Sequence, residues 1–154
     1  MRKETISAVV YRAHGNPAEV LHVESQPWPS CGPDEAVVAV HAAPVNPADL
    51  NQIEGKYPVR FEFPATPGFE GAGVVTEVGA NVKTLTPGAR VILPHSIGTW
   101  REACAVQADE LVPVPPEMDL TQAAMLKINP LTAWRLLHGY VKLQGGEWLI
   151  QNAA

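Results

Sequence analysis

Tyr57 stands two residues after Gly55, at the end of the run "NPADLNQIEGKYP". A free phenol has a pKa of about 10, so it stays protonated at neutral pH and can donate a hydrogen bond or deliver a proton. From its own surroundings Tyr57 also reads as a half-buried turn tyrosine. Asn46 opens the same run, and Asn129 opens "NPLTAW". An asparagine before a proline suits a helix N-cap with Pro at the first helical position, and capping alone explains both. Thr132 lies three residues after Asn129. Trp100, after Gly98-Thr99, carries a large apolar face that needs cover, either as core or as a pocket wall. His14, His22, His41, His95 and His138 have no metal-ligand spacing. Nothing forms a Ser-His-Asp arrangement. Cys31 and Cys104 are too far apart in sequence for a metal clip or a disulfide framework, so reduced thiols of a cytoplasmic protein are expected.

These residues need elements to hold them. "NPADLNQIEG" predicts a short helix capped by Asn46 and stopped at Gly55, which puts Asn46 and Tyr57 at its two ends. Around it the first ~115 residues read as strands between Gly/Pro turns. "TISAVVYRAHG" and "VLHVESQ" form a hairpin across a Gly-Asn-Pro turn. "AVVAVHAAPV" is a near-continuous apolar run, expected of a strand buried on both faces. "GAGVVTEVGANV", "TPGARVILP" and "EACAVQADELVPVP" supply four more, and this spacing suggests a barrel or sandwich. After Pro116 the pattern changes. "MDLTQAAMLKI" and "NPLTAWRLLHGYV" are helical, with Leu131, Trp134 and Leu137 at helical spacing. "GGEWLIQ" is a turn and a strand. A β-rich domain over 1–116 therefore gives way at 117–154 to helix, helix, strand, the opening of an α/β unit.

The 154 residues are 46% hydrophobic, enough for a packed core. Only 18% are charged and the net charge is -5, which gives no reason to expect nucleic-acid binding. The apolar runs are too short to span a membrane. The start "MRKETISAVV" has two basic residues but no long apolar stretch, so no secretory signal is read there.

Three stretches taken in order, "APVNPADLNQIEGKYP", "PGFEGAGVVTEVGANVKTLTPGARV" and "INPLTAWRLLHGYVKLQGGEWLIQNA", resemble the medium-chain dehydrogenase/reductase superfamily. The chain looks most like its zinc-free branch. Zinc alcohol dehydrogenases carry a cysteine where this chain has Asn46 and "GHE" where it has Gly68-Phe69-Glu70, and two cysteines cannot make a four-cysteine structural lobe. The chain most resembles the mitochondrial-type 2-enoyl thioester reductases, on "NPADLNQIEGKYP", "GTWREACAV" and "INPLTAWRLL". Quinone oxidoreductases share the asparagine-plus-tyrosine pattern and are the alternative. A non-catalytic GroES-like binding module is an alternative of another class.

The resemblance implies a mostly β fold: a GroES-like, partly open β-barrel, then the first helices and first strand of a Rossmann domain. It implies NADPH reduction of a trans-2-enoyl thioester of fatty acid metabolism, with hydride to the β carbon and a proton to the α carbon. Tyr57 is then the proton donor or the group that orients the thioester carbonyl. Asn46, Asn129 and Thr132 then lie near the nicotinamide and Glu70 is structural, while Trp100 either packs in the core or walls a fatty-acyl pocket. No metal, nucleic acid or membrane is implied. The partner is a small thioester or quinone, the complete enzyme is a homodimer, and its location is cytoplasmic, or mitochondrial in a eukaryote. The sequence ends at Asn152-Ala153-Ala154, where this subfamily begins its glycine-rich phosphate turn. It therefore reads as a truncated reductase, expected to be inactive alone and to bind NADPH weakly.

Overall fold

A computed structural model describes residues 4–59 and 61–152. The basic Arg2 and Lys3, and Ala153-Ala154 at the end of the last expected strand, lie outside the described residues.

Strand β1, Thr5–Val10, pairs antiparallel with β2, His22–Pro27, in register Thr5↔Pro27 to Val10↔His22. Five further strands are β3 (Glu35–Ala42), β4 (Ala72–Val78), β5 (Arg90–Ile92), β6 (Ala103–Gln107) and β7 (Val112–Pro113). They form one antiparallel sheet in the order β6-β3-β4-β5-β7. The hairpin docks on the segment that enters β6. Val9 N–H donates to Trp100 O and Glu102 N–H to Ser7 O, each at 2.9 Å. Tyr11 and Ala65 exchange N–H···O bonds, also at 2.9 Å. The sheet thus meets the hairpin without one continuous ladder, which is the partly open barrel that the resemblance implies and one of the two forms the strand spacing suggests.

The apolar run of β3 is buried on both faces, because alternate side chains point to opposite sides. Ala36 and Val38 enter a core with Val75, Val91, Leu93, Cys104 and Val106. Val37, between them, packs with Ile6 and Ala103 on the other side. Burial drives the Cys104 thiol up to about 11, against the opposing influence of Arg101. At pH 7 its thiolate fraction is then on the order of 10⁻⁴. Iodoacetamide should leave Cys104 unmodified in the folded chain and alkylate it after denaturation. Mass spectrometry of the two samples checks this, and rapid labelling of folded Cys104 would contradict it.

Helix α1, Pro17–Val20, occupies the expected Gly-Asn-Pro turn. Asn16 caps it by accepting from Ala18 N–H at 3.1 Å. Helix α2, Pro47–Ile53, has Asn46 at its N-cap and buries Ile53 completely. Gly55 ends it at φ +75°, a left-handed conformation that side chains resist. The first of the two later helices is shorter than the sequence suggests, while the second, with its closing π-type turn, runs from Asn129 to Tyr140. Helix α3 is only Leu120–Ala123, and Leu120, Ala123 and Ala124 join Ala72 and Ile92 in the barrel's second core. It therefore packs on the first unit although it follows the change of pattern at Pro116. Helix α4, Asn129–Arg135, begins at Asn129 itself with Ile128 as its N-cap, so Asn129 is not the cap expected from the Asn-Pro pair. One π-type turn, Leu136–Tyr140, follows.

The strand expected in "GGEWLIQ" does not form among the described residues. Trp148 and Ile150 are 93% and 92% exposed there, with no neighbouring strand. A strand's N–H and C=O groups need a partner, and an apolar pattern alone cannot supply one.

Candidate active site

The loop Pro67–Gly71 leads into β4 and lies between α2 and the loop before β6. Pro67 O accepts from Trp100 N–H at 3.0 Å, and Gly68 O accepts from the N–H groups of Gly98 and Thr99, both at 3.2 Å. Thr99 Oγ1 donates to Glu70 O at 2.5 Å. Gly68 sits at φ +112°, and a Cβ there would lie 2.3 Å from Thr99 Oγ1, so only glycine permits this approach. Arg101 fastens the facing loop from behind, donating from Nε to Gly98 O at 2.6 Å and from Nη2 to Ile97 O at 2.9 Å.

Two acidic side chains lie buried in this junction. Asp49, at the third position of α2, accepts from Asn46 N–H through Oδ2 at 2.6 Å and from Phe69 N–H through Oδ1 at 2.9 Å. The first bond is the return half of a capping box. The second ties α2 to the loop. Burial raises the Asp49 pKa; the two backbone N–H groups oppose this, Glu70 reinforces it and His95 opposes it more weakly. Glu70 is 1% exposed. Its Oε2 accepts from Asn46 Nδ2 at 3.1 Å, and its Oε1 accepts from Ile128 N–H at 2.6 Å.

Tyr57 is half-buried at the far end of α2, its N–H donating to Asn51 O at 3.1 Å. Its ring centroid is 5.0 Å from that of Phe69, which stacks on His95 at 5.1 Å and 10°. One buried phenylalanine thus sets the height of the phenol above the loop. Asn46 is half-buried at the other end of α2. Asn129 and Thr132 are exposed, one turn apart, with Thr132 N–H donating to Ile128 O at 2.9 Å. Through Glu70, Asn46 shares a carboxylate with the residue next to Asn129. Trp100 donates from Nε1 to Pro44 O at 3.2 Å and lines an open groove of about 450 Å³ with Val23, Val40, His41 and Val45. Tyr57 is not in the lining of that groove, so the structure does not place Trp100 and Tyr57 in one cavity.

Asp49 and the cross-link made by Glu70 were not singled out from sequence. Asp49 was recoverable, since an acidic residue three positions after an N-cap asparagine is a capping-box pattern. Glu70 was not, because its donors are distant in the chain.

A zinc ion needs about three nitrogen, sulfur or carboxylate ligands and an open position. The Asn46 amide is engaged by Glu70, Phe69 offers no ligand atom, and no group of three His, Cys, Asp or Glu side chains is disposed around a common point among the described residues. The residues present do not fit zinc. Metal analysis of purified protein should find it substoichiometric; one zinc per chain would contradict this reading.

The chain belongs to the alcohol dehydrogenase GroES-like domain family, whose pattern matches residues 32–116, more than half its length. It is 39% identical over 150 residues to the human mitochondrial enoyl-[acyl-carrier-protein] reductase, covering 97% of this chain and 40% of that protein. The complex of Etr1p with NADP and crotonyl-CoA superposes with a TM-score of 0.85 at 34% identity, over 93% of this chain and 46% of that one. The Escherichia coli quinone oxidoreductase complexed with NADPH gives 0.79 at 28% identity, over 90% and 42%. The chain therefore spans about 40% of the length of the curated relative it matches. No helix among the described residues is long and apolar enough to cross a membrane.

Proposed function

We propose that this chain is the substrate-side part of an NADPH-dependent reductase of trans-2-enoyl thioesters, with Tyr57 donating to the substrate. The carrying observation is the placement of Tyr57: a phenol at the end of α2 with its ring against that of Phe69. The similarity to enoyl reductases over nearly the whole chain supports it.

NADPH, when bound, supplies the hydride that reaches the β carbon. This chain's residues handle the oxygen and the proton. As the conjugated system is reduced, negative charge develops on the thioester oxygen, and the Tyr57 hydroxyl donates to that oxygen or delivers the proton. Asn46, Asn129 and Thr132 are the contacts offered to the nicotinamide. Trp100 is the wall of the acyl groove, its indole held by Pro44 O two residues before Asn46. In this reading the cofactor-side unit begins after Pro116, with α3 kept in the barrel's core. Solved relatives include an Etr1p/Etr2p heterodimer from Candida tropicalis. For the complete protein we propose a homodimer located in the cytoplasm, or in mitochondria if the source is eukaryotic.

Full-length protein should oxidise NADPH with crotonyl-CoA in a spectrophotometric assay. Turnover with a quinone but not with the thioester would favour the second reading, to which the similarity to the quinone oxidoreductase lends weight. No NADPH oxidation with either would overturn both.

A further inference from the structure

We infer that Glu70 is a positioning residue that locks Asn46 and the root of α4 into one geometry, so that Asn46 and Asn129 meet the cofactor as a coupled pair. The inference rests on the cofactor roles proposed above for those two asparagines.

Glu70 is a buried carboxylate whose two oxygens serve different parts of the chain. Oε2 holds the amide of Asn46 at the start of α2, and Oε1 holds the main-chain N–H of Ile128, immediately before Asn129. A carboxylate can only accept, so it selects the NH₂ end of the Asn46 amide and fixes which way that side chain faces. The same carboxylate reaches a helix that packing leaves undirected. Helix α4 buries none of its residues, and Leu131 and Trp134 are 53% and 60% exposed. Leu126 packs its root against the second core, and two hydrogen bonds tie that root to the barrel: the Glu70 bond, and the one that Lys127 Nζ donates to Leu93 O at 3.4 Å. Of the two, the bond to Glu70 is short, buried and made to the main chain. Moving one asparagine while the other stays still would stretch a hydrogen bond to a desolvated carboxylate, which is costly. Coupling between the two asparagines follows directly.

Glu70→Gln is nearly isosteric but offers one acceptor and one donor in place of two acceptors; Glu70→Ala offers neither. In the full-length protein, Glu70→Gln should weaken NADPH binding about tenfold by fluorescence titration and lower the melting temperature by roughly a few degrees, since one buried donor loses its acceptor. In an Asn46→Ala background the same substitution should weaken it by less than about threefold, because the partner is already gone. Hydrogen exchange at the Ile128 amide, in the absence of cofactor, should accelerate at least tenfold in Glu70→Ala, or in Glu70→Gln if the alanine variant does not fold.

Unchanged Ile128 exchange would overturn the tether itself. Additive effects of Glu70→Gln and Asn46→Ala on NADPH affinity, or a melting shift with no affinity change, would reduce Glu70 to a structural residue. Neither readout uses turnover. If wild-type protein binds NADPH but does not reduce crotonyl-CoA, the substrate reading fails while these measurements still decide the role of Glu70.

Discussion

Replacing Tyr57 by phenylalanine in the full-length protein should lower kcat by about 30- to 1000-fold while leaving KM within about threefold of wild type. The ring contact with Phe69 and the bond from Tyr57 N–H to Asn51 O do not involve the hydroxyl, so Phe keeps the local fold. What is lost, on the role proposed for Tyr57, is a donor to an oxygen that becomes strongly negative only during reaction. Removing one such donor costs about 2–4 kcal/mol of transition-state stabilisation, and each 1.36 kcal/mol is tenfold in rate. A loss confined to the transition state appears in kcat and in kcat/KM together. Steady-state kinetics on crotonyl-CoA checks it. A wild-type kcat would return Tyr57 to a turn residue that packs on Phe69. A raised KM at unchanged kcat would make it a ground-state binding contact.

Replacing Asp49 by alanine should destabilise the chain by about 3–5 kcal/mol, because two buried main-chain donors, Asn46 N–H and Phe69 N–H, lose their acceptor together. For a chain of this size the melting temperature should fall by roughly 10 °C. Asp49→Asn keeps one acceptor oxygen and should cost less. Its penalty should also vary with pH. Burial lifts the Asp49 carboxyl above its ordinary range despite the two N–H groups, so ionisation works against the fold. The contribution of Asp49 is therefore fully present below the unfolded-state pKa of about 4 and declines as pH rises through the folded value. The penalty of Asp49→Asn should be larger near pH 4 than at pH 7. Thermal melts of both proteins at the two values test it, and the opposite trend would show a carboxyl held below its ordinary range.

The parts of this fold that were legible in the sequence are those whose causes are local. Asn46, Pro47 and Gly55 each carry a conformational preference, and together they delimit α2 to within a residue or two. The unbroken apolar run of β3 announces burial on both faces, and the packing of Val37 opposite Ala36 and Val38 agrees. Where the outcome depends on partners distant in sequence, local signals misled. The residues 148–150 are strand-like in composition, yet stand exposed where no neighbouring strand pairs with them. The Asn129-Pro130 pair imitates the start of α2, but Ile128 takes the cap position while its N–H is bound by Glu70. Candidate site residues could be named because the stretches that hold Tyr57, Asn46, Asn129 and Thr132 resemble those of a known reductase family; their local surroundings alone suit a turn and a helix cap. The link from Asn46 to α4 passes through a carboxylate that periodicity describes only as a buried position before a strand.

The donor that Ile128 offers Glu70 is its main-chain N–H. Every amino acid but one supplies that group, so the side chain at 128 is free to drift over evolutionary time without breaking the link. Proline alone is forbidden there, since it has no N–H to give. Position 70 has no such latitude, because a carboxylate is the group that accepts from both sides at once. Among natural variants of this chain, position 128 should accordingly vary widely while avoiding proline, and position 70 should vary little.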